Sequence, residues 1–219
     1  MKMLIIFEKT KRIRHVGHLD LMRTMQRALR RSNLPVAFSM GFNPHMLLNF
    51  AAPLSVGVSG KREIMEVPLS KEISEAEFKS MLSNVLPSDL PCVAVRAVDD
   101  KHPAPMSMLR AASYSIEFYE NVEPLLDAIP RLLAKNTIMV MRKTKSGEKL
   151  CDIRPMIYDL CAADDTHISC TLSLCESATC KPELLMDALY TESGLAERPY
   201  CLYTRMQMYG ENMIPLELL

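Results

Sequence analysis

The chain has 219 residues, 48% hydrophobic and 24% charged, an ordinary globular balance that excludes disorder and leaves room for one large domain or two small ones. No run approaches the roughly eighteen uninterrupted apolar residues of a membrane span. The net charge is zero, yet residues 1–50 hold nine Lys or Arg against two acids, an asymmetry that predicts a basic face meeting an anion, most often nucleic acid.

In chain order, Met1 to Phe7 has the look of a signal segment, but the apolar run stops at Glu8 and no small-residue cleavage site follows, so a strand is expected over 3–9. A helix follows over 18–31, ended by Asn33 and Pro35. Extended stretches are expected at 35–40, 47–52 and 63–69. Ser74-x-x-Glu77 is a capping-box pattern that opens a helix to residue 85, and 92–98 reads as a strand. Apart from one surplus extended stretch, this βαββαβ order is the ferredoxin-like signature. Residues 99–108, with two prolines and a polar run, read as a linker.

The pattern then restarts with a strand over 113–119 and a helix over 122–135, which Pro130 is expected to kink. A hairpin over 137–142 and 148–153 is expected to turn at Ser146-Gly147. A strand over 167–174, a helix opened by Pro182 and stopped at Gly194, and a strand over 200–208 complete the chain. Residues 156–163 carry no assignable pattern. The fold class expected is therefore α+β, two tandem ferredoxin-like α/β sandwiches with antiparallel sheets, with domains at 1–100 and 109–219.

The seven cysteines are odd in number and scattered, which suits reduced thiols in a cytoplasm better than a disulfide framework. Cys170, Cys175 and Cys180 repeat at spacing five, but strand alternation puts Cys170 and Cys175 on opposite faces. No metal site is expected. The Cys-x-x-x-Cys-x-x-Cys pattern of an iron–sulfur cluster is also missing, and no cofactor is expected.

On a helical wheel Arg23, Arg27, Arg30 and Arg31 share one sector, while Leu21, Met22, Met25, Ala28 and Leu29 lie opposite. One face is expected to pack on a sheet and the other to present four guanidinium groups. Their forks match phosphate bidentately, so RNA or DNA backbone is the natural visitor; a merely solvated basic face is the plainer alternative. Lys11, Arg12 and Arg14 sit in the loop before the helix, where unsatisfied N–H groups collect. Gly17 is the expected N-cap, and Asp20 fits the first turn. His18 falls among the apolar residues, which favours a structural histidine hydrogen-bonded at the helix start over a catalytic one.

In Gly41-Phe42-Asn43-Pro44-His45, Gly41 permits positive φ and Pro44 stiffens the chain. Asn43 can hydrogen-bond its own turn, and Phe42 and His45 would be displayed for stacking on a base or ring, unless Phe42 packs inward. Arg142, Lys143, Lys145 and Lys149 form a basic hairpin tip, most simply edge protection. Asp152 is placed to orient Arg154.

Taken together, Lys11, Gly17-His18-Leu19-Asp20-Leu21, Arg27-Ala28-Leu29-Arg30-Arg31, Leu34-Pro35, the segment from Phe38 to His45, and Pro53-Leu54-Ser55-Val56-Gly57 with Glu63 and Glu66 resemble a bacterial family of radical-SAM-linked proteins. Its domain of unknown function occurs alone or fused behind a radical SAM enzyme. Asp152-Ile153-Arg154-Pro155 is similar to a later motif of the same family. Two positions depart: Gly17 stands where the family usually has Ser, and Met46 where it usually has Pro, which is expected to loosen the loop after His45. The resemblance implies work beside a radical SAM partner. The family's gene company of ribosomal proteins and an RNase implies RNA modification or ribosome maturation.

The expectation is a cytoplasmic, non-enzymatic RNA-binding partner that presents tRNA or rRNA to a radical SAM enzyme. Lys11, Arg12, Arg14, Arg23, Arg27, Arg30, Arg31 and Arg154 would serve the RNA backbone, and Phe42, Asn43 and His45 a base. Two alternatives stay open. One is a metal-independent RNA endonuclease using His18 or His45 as base, a fold-level analogy. The other is a docking module whose basic face meets an acidic protein.

Overall fold

The first strand, β1 (Lys2–Lys9), alternates side chains across a sheet, so Met3, Ile5 and Phe7 share one face. In the computed structural model, which describes residues 1–144, 147–176 and 178–219, that face is roofed by two helices. The helix α1 (His18–Arg31) contributes Leu21, Met25, Ala28 and Leu29, an i, i+4, i+7, i+8 stripe, and α2 (Glu75–Ser83) contributes Phe78 and Leu82. Each of the Leu, Met and Phe side chains, once buried, stabilises the fold by about 1.5–3 kcal/mol, and the Ala28 methyl by less.

The sheet beneath them also holds β2 (Asn49–Phe50), β3 (Val58–Pro68) and β4 (Cys92–Val98). Its order is β4-β1-β3-β2, and every neighbouring pair is antiparallel. The expected extended stretch over 35–40 is not a strand. It makes only isolated bridges, Val36 to Leu69 and Phe38 to Met46, and β2 is cut to two residues. The α2 cap forms as expected, with Ser74 Oγ accepting from the Glu77 N–H at 3.2 Å, a contribution of about 1 kcal/mol. Helix α1 starts at Gly17 in extended conformation and ends at Ser32, after which Asn33 turns the chain at φ 55°.

Residues Met1–Leu109 and Gln207–Leu219 form one compact unit, and Arg110–Met206 another. Residues 207–219, read from the sequence as part of the second domain, thus belong with the first. Their anchor is Glu217, whose carboxylate accepts from Arg62 Nε at 2.8 Å and Gln207 Nε2 at 2.6 Å, while its carbonyl accepts from Arg96 Nη1 at 2.5 Å. The expected linker carries a short helix, α3 (Pro105–Met108).

The second unit comprises β5 (Ala111–Phe118), α4 (Glu123–Leu133), β6 (Met139–Thr144), β7 (Gly147–Asp152), β8 (Ile157–Asp164), β9 (His167–Ser173), α5 (Pro182–Ser193) and β10 (Cys201–Tyr209), whose last residues count with the first unit. Its strand order is β10-β5-β9-β8, and β6 pairs with β7 as a separate hairpin. Residues 156–163, unassigned from sequence, are mostly β8. Its pattern is hard to read because only Ile157 and Leu160 are buried, and a register shift separates Ile157 from Asp159. Gly194 closes α5 in the left-handed conformation that glycine adopts without strain. Lys145 and Ser146, expected at the hairpin tip, lie outside the described residues.

Candidate nucleic-acid interface

The basic segment is shaped from inside by Lys9, whose side chain is buried at the end of β1. Its Nζ donates to the carbonyls of Arg14 and Val16 at 2.9 Å each and of Val58 at 3.3 Å. These bonds clamp the loop that carries Lys11, Arg12 and Arg14 and delivers the chain to α1. Counted from sequence as one basic residue among nine, Lys9 instead holds the segment before α1 in place; its position at the inward-facing end of a strand was the available signal. Arg12 is exposed, with Nε 3.8 Å from Asp89, whereas Arg14 is half-buried and donates from Nη1 to the Lys11 carbonyl at 2.9 Å.

On α1 the four arginines are not equivalent. Arg27 and Arg30 are exposed and have no hydrogen-bond or ion-pair partner among the described residues. Arg23 meets Asp20 one turn away at 3.2 Å, an exposed pair worth little that an incoming phosphate can displace. Arg31 instead donates from Nη2 to the Val85 carbonyl at 2.9 Å and ties α1 to the end of α2. The face therefore offers three guanidinium groups, while the apolar stripe holds the opposite side in the core.

Residues 37–47 form a narrow tongue. Its base is stitched by the Ser39 N–H to the His45 carbonyl at 2.8 Å and the Leu47 N–H to the Ala37 carbonyl at 3.0 Å. Ser39 Oγ adds a contact to His45 Nδ1 at 2.8 Å and accepts from the His45 N–H at 3.0 Å. Val36 and Met46 root the tongue in the core beneath α1. Met46, expected to loosen the loop, is buried and fastens it. At the tip Gly41 takes φ 117°, and Met40 and Phe42 are 98% and 107% exposed. Asn43 is exposed beside Phe42. The inward-packed alternative for Phe42 is thus excluded by its position. A fully exposed aromatic ring thus stands at the tip of a stitched hairpin.

His18 departs from expectation. Its Nδ1 is buried without a hydrogen-bond partner among the described residues, and the ring is instead held edge-on against Phe50, centroids 5.2 Å apart. Arg154 lies in the second unit, and Asp152 does not grip its guanidinium. The Asp152 carboxylate accepts from the backbone N–H of Ile138 at 2.8 Å and of Arg154 at 3.0 Å, and Arg154 Nε donates to the Lys135 carbonyl at 3.2 Å. The Ile138 bond, then the Arg154 bond, holds the Asp152 carboxyl below its usual range. This pair is a turn-closing device.

Burial pushes the Cys92 thiol up to about 11 and the Cys180 thiol up to about 12, so neither is a thiolate at neutral pH. Among the described residues no cluster of three His, Cys, Asp or Glu could hold a metal ion, and no helix is long and apolar enough to cross a membrane.

Sheets backed by helices on a mostly antiparallel frame, with a basic helix face and an exposed aromatic tongue on one unit, define an α+β protein. The chain belongs to the bacterial family described as "Uncharacterized protein conserved in bacteria (DUF2344)", whose model matches residues 2–182. Among curated proteins there is no match. A solved structure of a Cbf5-Nop10-Gar1 complex is similar over 96% of this chain at 9% identity and a TM-score of 0.49. This chain spans 50% of the length of that one, and a likeness of that size carries no argument about function.

Proposed function

We propose that the protein is a non-catalytic RNA-binding partner of a radical SAM enzyme, holding tRNA or rRNA for modification or during ribosome maturation in the cytoplasm. The observation that carries RNA binding is the pairing, on one unit, of three exposed guanidinium groups on α1 with a fully exposed Phe42 on the tongue. Guanidinium forks hold phosphates and an exposed ring stacks on a base, the two components of single-strand recognition. The radical SAM partner rests on the resemblance of the motif segments alone. We also read each unit as ferredoxin-like, because the strand orders β4-β1-β3-β2 and β10-β5-β9-β8 follow one βαββαβ plan, with β6 and β7 as an insertion in the second.

Co-purification of the tagged protein, with sequencing of bound RNA and identification of bound proteins, tests this reading. A discrete small structured RNA together with a radical SAM enzyme is expected. A protein partner captured without RNA, insensitive to nuclease, would replace RNA binding with the docking reading.

A further inference from the structure

At the start of α1 the first unit contains a cavity of about 450 Å³, within the roughly 300–1,000 Å³ of small-molecule sites. Met22, Phe50, Pro53 and Met106 supply apolar wall, and only His18 and Asn49 among its lining residues have polar side chains. That composition suits a flat, weakly polar ring. Thioethers and an aromatic edge favour ring faces, and a single amide at an exposed strand position can read an edge.

The cavity lies roughly a quarter turn of α1 from the basic face. His18 and Met22 are on one side of the helix, and Arg23, the next residue after Met22, begins the arginine sector about 100° round the axis from Met22 and about 7.5 Å along it from His18. A strand of RNA with a phosphate near Arg23 can therefore turn one nucleotide toward the pocket. Asn side chains pair bidentately with the N6 and N7 edge of adenine, donor against acceptor and acceptor against donor.

We propose that this cavity receives an unpaired adenine base of the RNA held on α1, with Asn49 reading its edge and Met22, Phe50 and Met106 covering its faces. The proposal rests on the RNA-binding reading for the source of the base, but the pocket itself needs no phosphate. Free adenosine, which carries no charge, therefore separates the two.

Ligand-observed NMR of adenosine with the full chain should give saturation transfer to the base protons, weakened at least fivefold in Asn49→Ala and abolished in Met22→Trp, which fills the cavity. Asn49 is exposed, so its truncation leaves the fold intact, as an unchanged denaturation midpoint would confirm. In parallel, oligo(A) should bind native protein at least fivefold more tightly than oligo(U) of equal length, a preference lost in Asn49→Ala while the salt dependence stays the same. No adenosine signal, or an equal signal with Asn49→Ala, overturns the pocket even if RNA binds. Adenosine binding that depends on Asn49 upholds the pocket even if RNA fails to bind, and that failure counts against the arginine face alone.

Discussion

Phe42 is the residue on which display and packing make opposite demands. Because its ring is 107% exposed, Phe42→Ala should change folding stability by less than about 0.5 kcal/mol yet cost about 1–3 kcal/mol of RNA affinity. Denaturant midpoint and RNA anisotropy on one preparation measure both; a large midpoint drop would refute the platform. Lys9 makes the reverse demand. Lys9→Met should lower stability by about 2–4 kcal/mol, because it leaves the carbonyls of Arg14, Val16 and Val58 without their shared donor. It should weaken RNA binding only through the loop, so an affinity loss with no change in midpoint would contradict the scaffold role. The display of Phe42 was legible in Gly41 and Pro44, whose backbone preferences are local. The role of Lys9 was legible only in its inward-facing place on β1, because its three acceptors come from the segment before α1 and from the start of β3, which only the folded chain brings together.

At the scale of elements, α1 was legible to the residue: a 3.6-residue apolar stripe, an acid in the first turn and a positive-φ Asn after the end are all local signals. Strand β8 was hidden because it exposes most of its length, leaving no alternation to read. Its turn into β9 carries a pH signature. Asp164 accepts from the Thr166 N–H at 2.8 Å and contacts His167 Nδ1 at 2.9 Å, and these bonds, the backbone one foremost, lower its carboxyl from 3.8 to about 2. A depressed carboxyl stabilises the fold above its unfolded value and loses that contribution as pH falls through its folded value. The stability gap between native protein and Asp164→Asn should therefore be constant above about pH 4 and close between pH 4 and pH 2. Urea titrations across that range check it, and a gap that survives at pH 2 would contradict it.

For the whole molecule, most strands and helices of the mixed α+β chain were readable because their signals are local. The return of 207–219 to the first unit was not, since it depends on Glu217 meeting Arg62, Gln207 and Arg96, contacts up to 155 residues apart in sequence. The same distance problem applies to the site, where sequence grouped four arginines by wheel angle but could not see that Arg31 is committed to Val85. If the molecule holds RNA without cutting it, incubation with RNA in EDTA should leave the RNA intact. A 2′,3′-cyclic phosphate product that depends on His45 would instead install the endonuclease alternative.

The most direct test of the arginine face is filter retention of RNA by native protein and by the triple variant Arg23→Glu, Arg27→Glu, Arg30→Glu, across a salt series. Native affinity should fall steeply with salt. The triple variant should lose retention at low salt with its fold unchanged by circular dichroism, because all three positions lie off the apolar stripe. Equal retention of RNA by the folded triple variant, or a flat salt response in the native protein, would contradict the account.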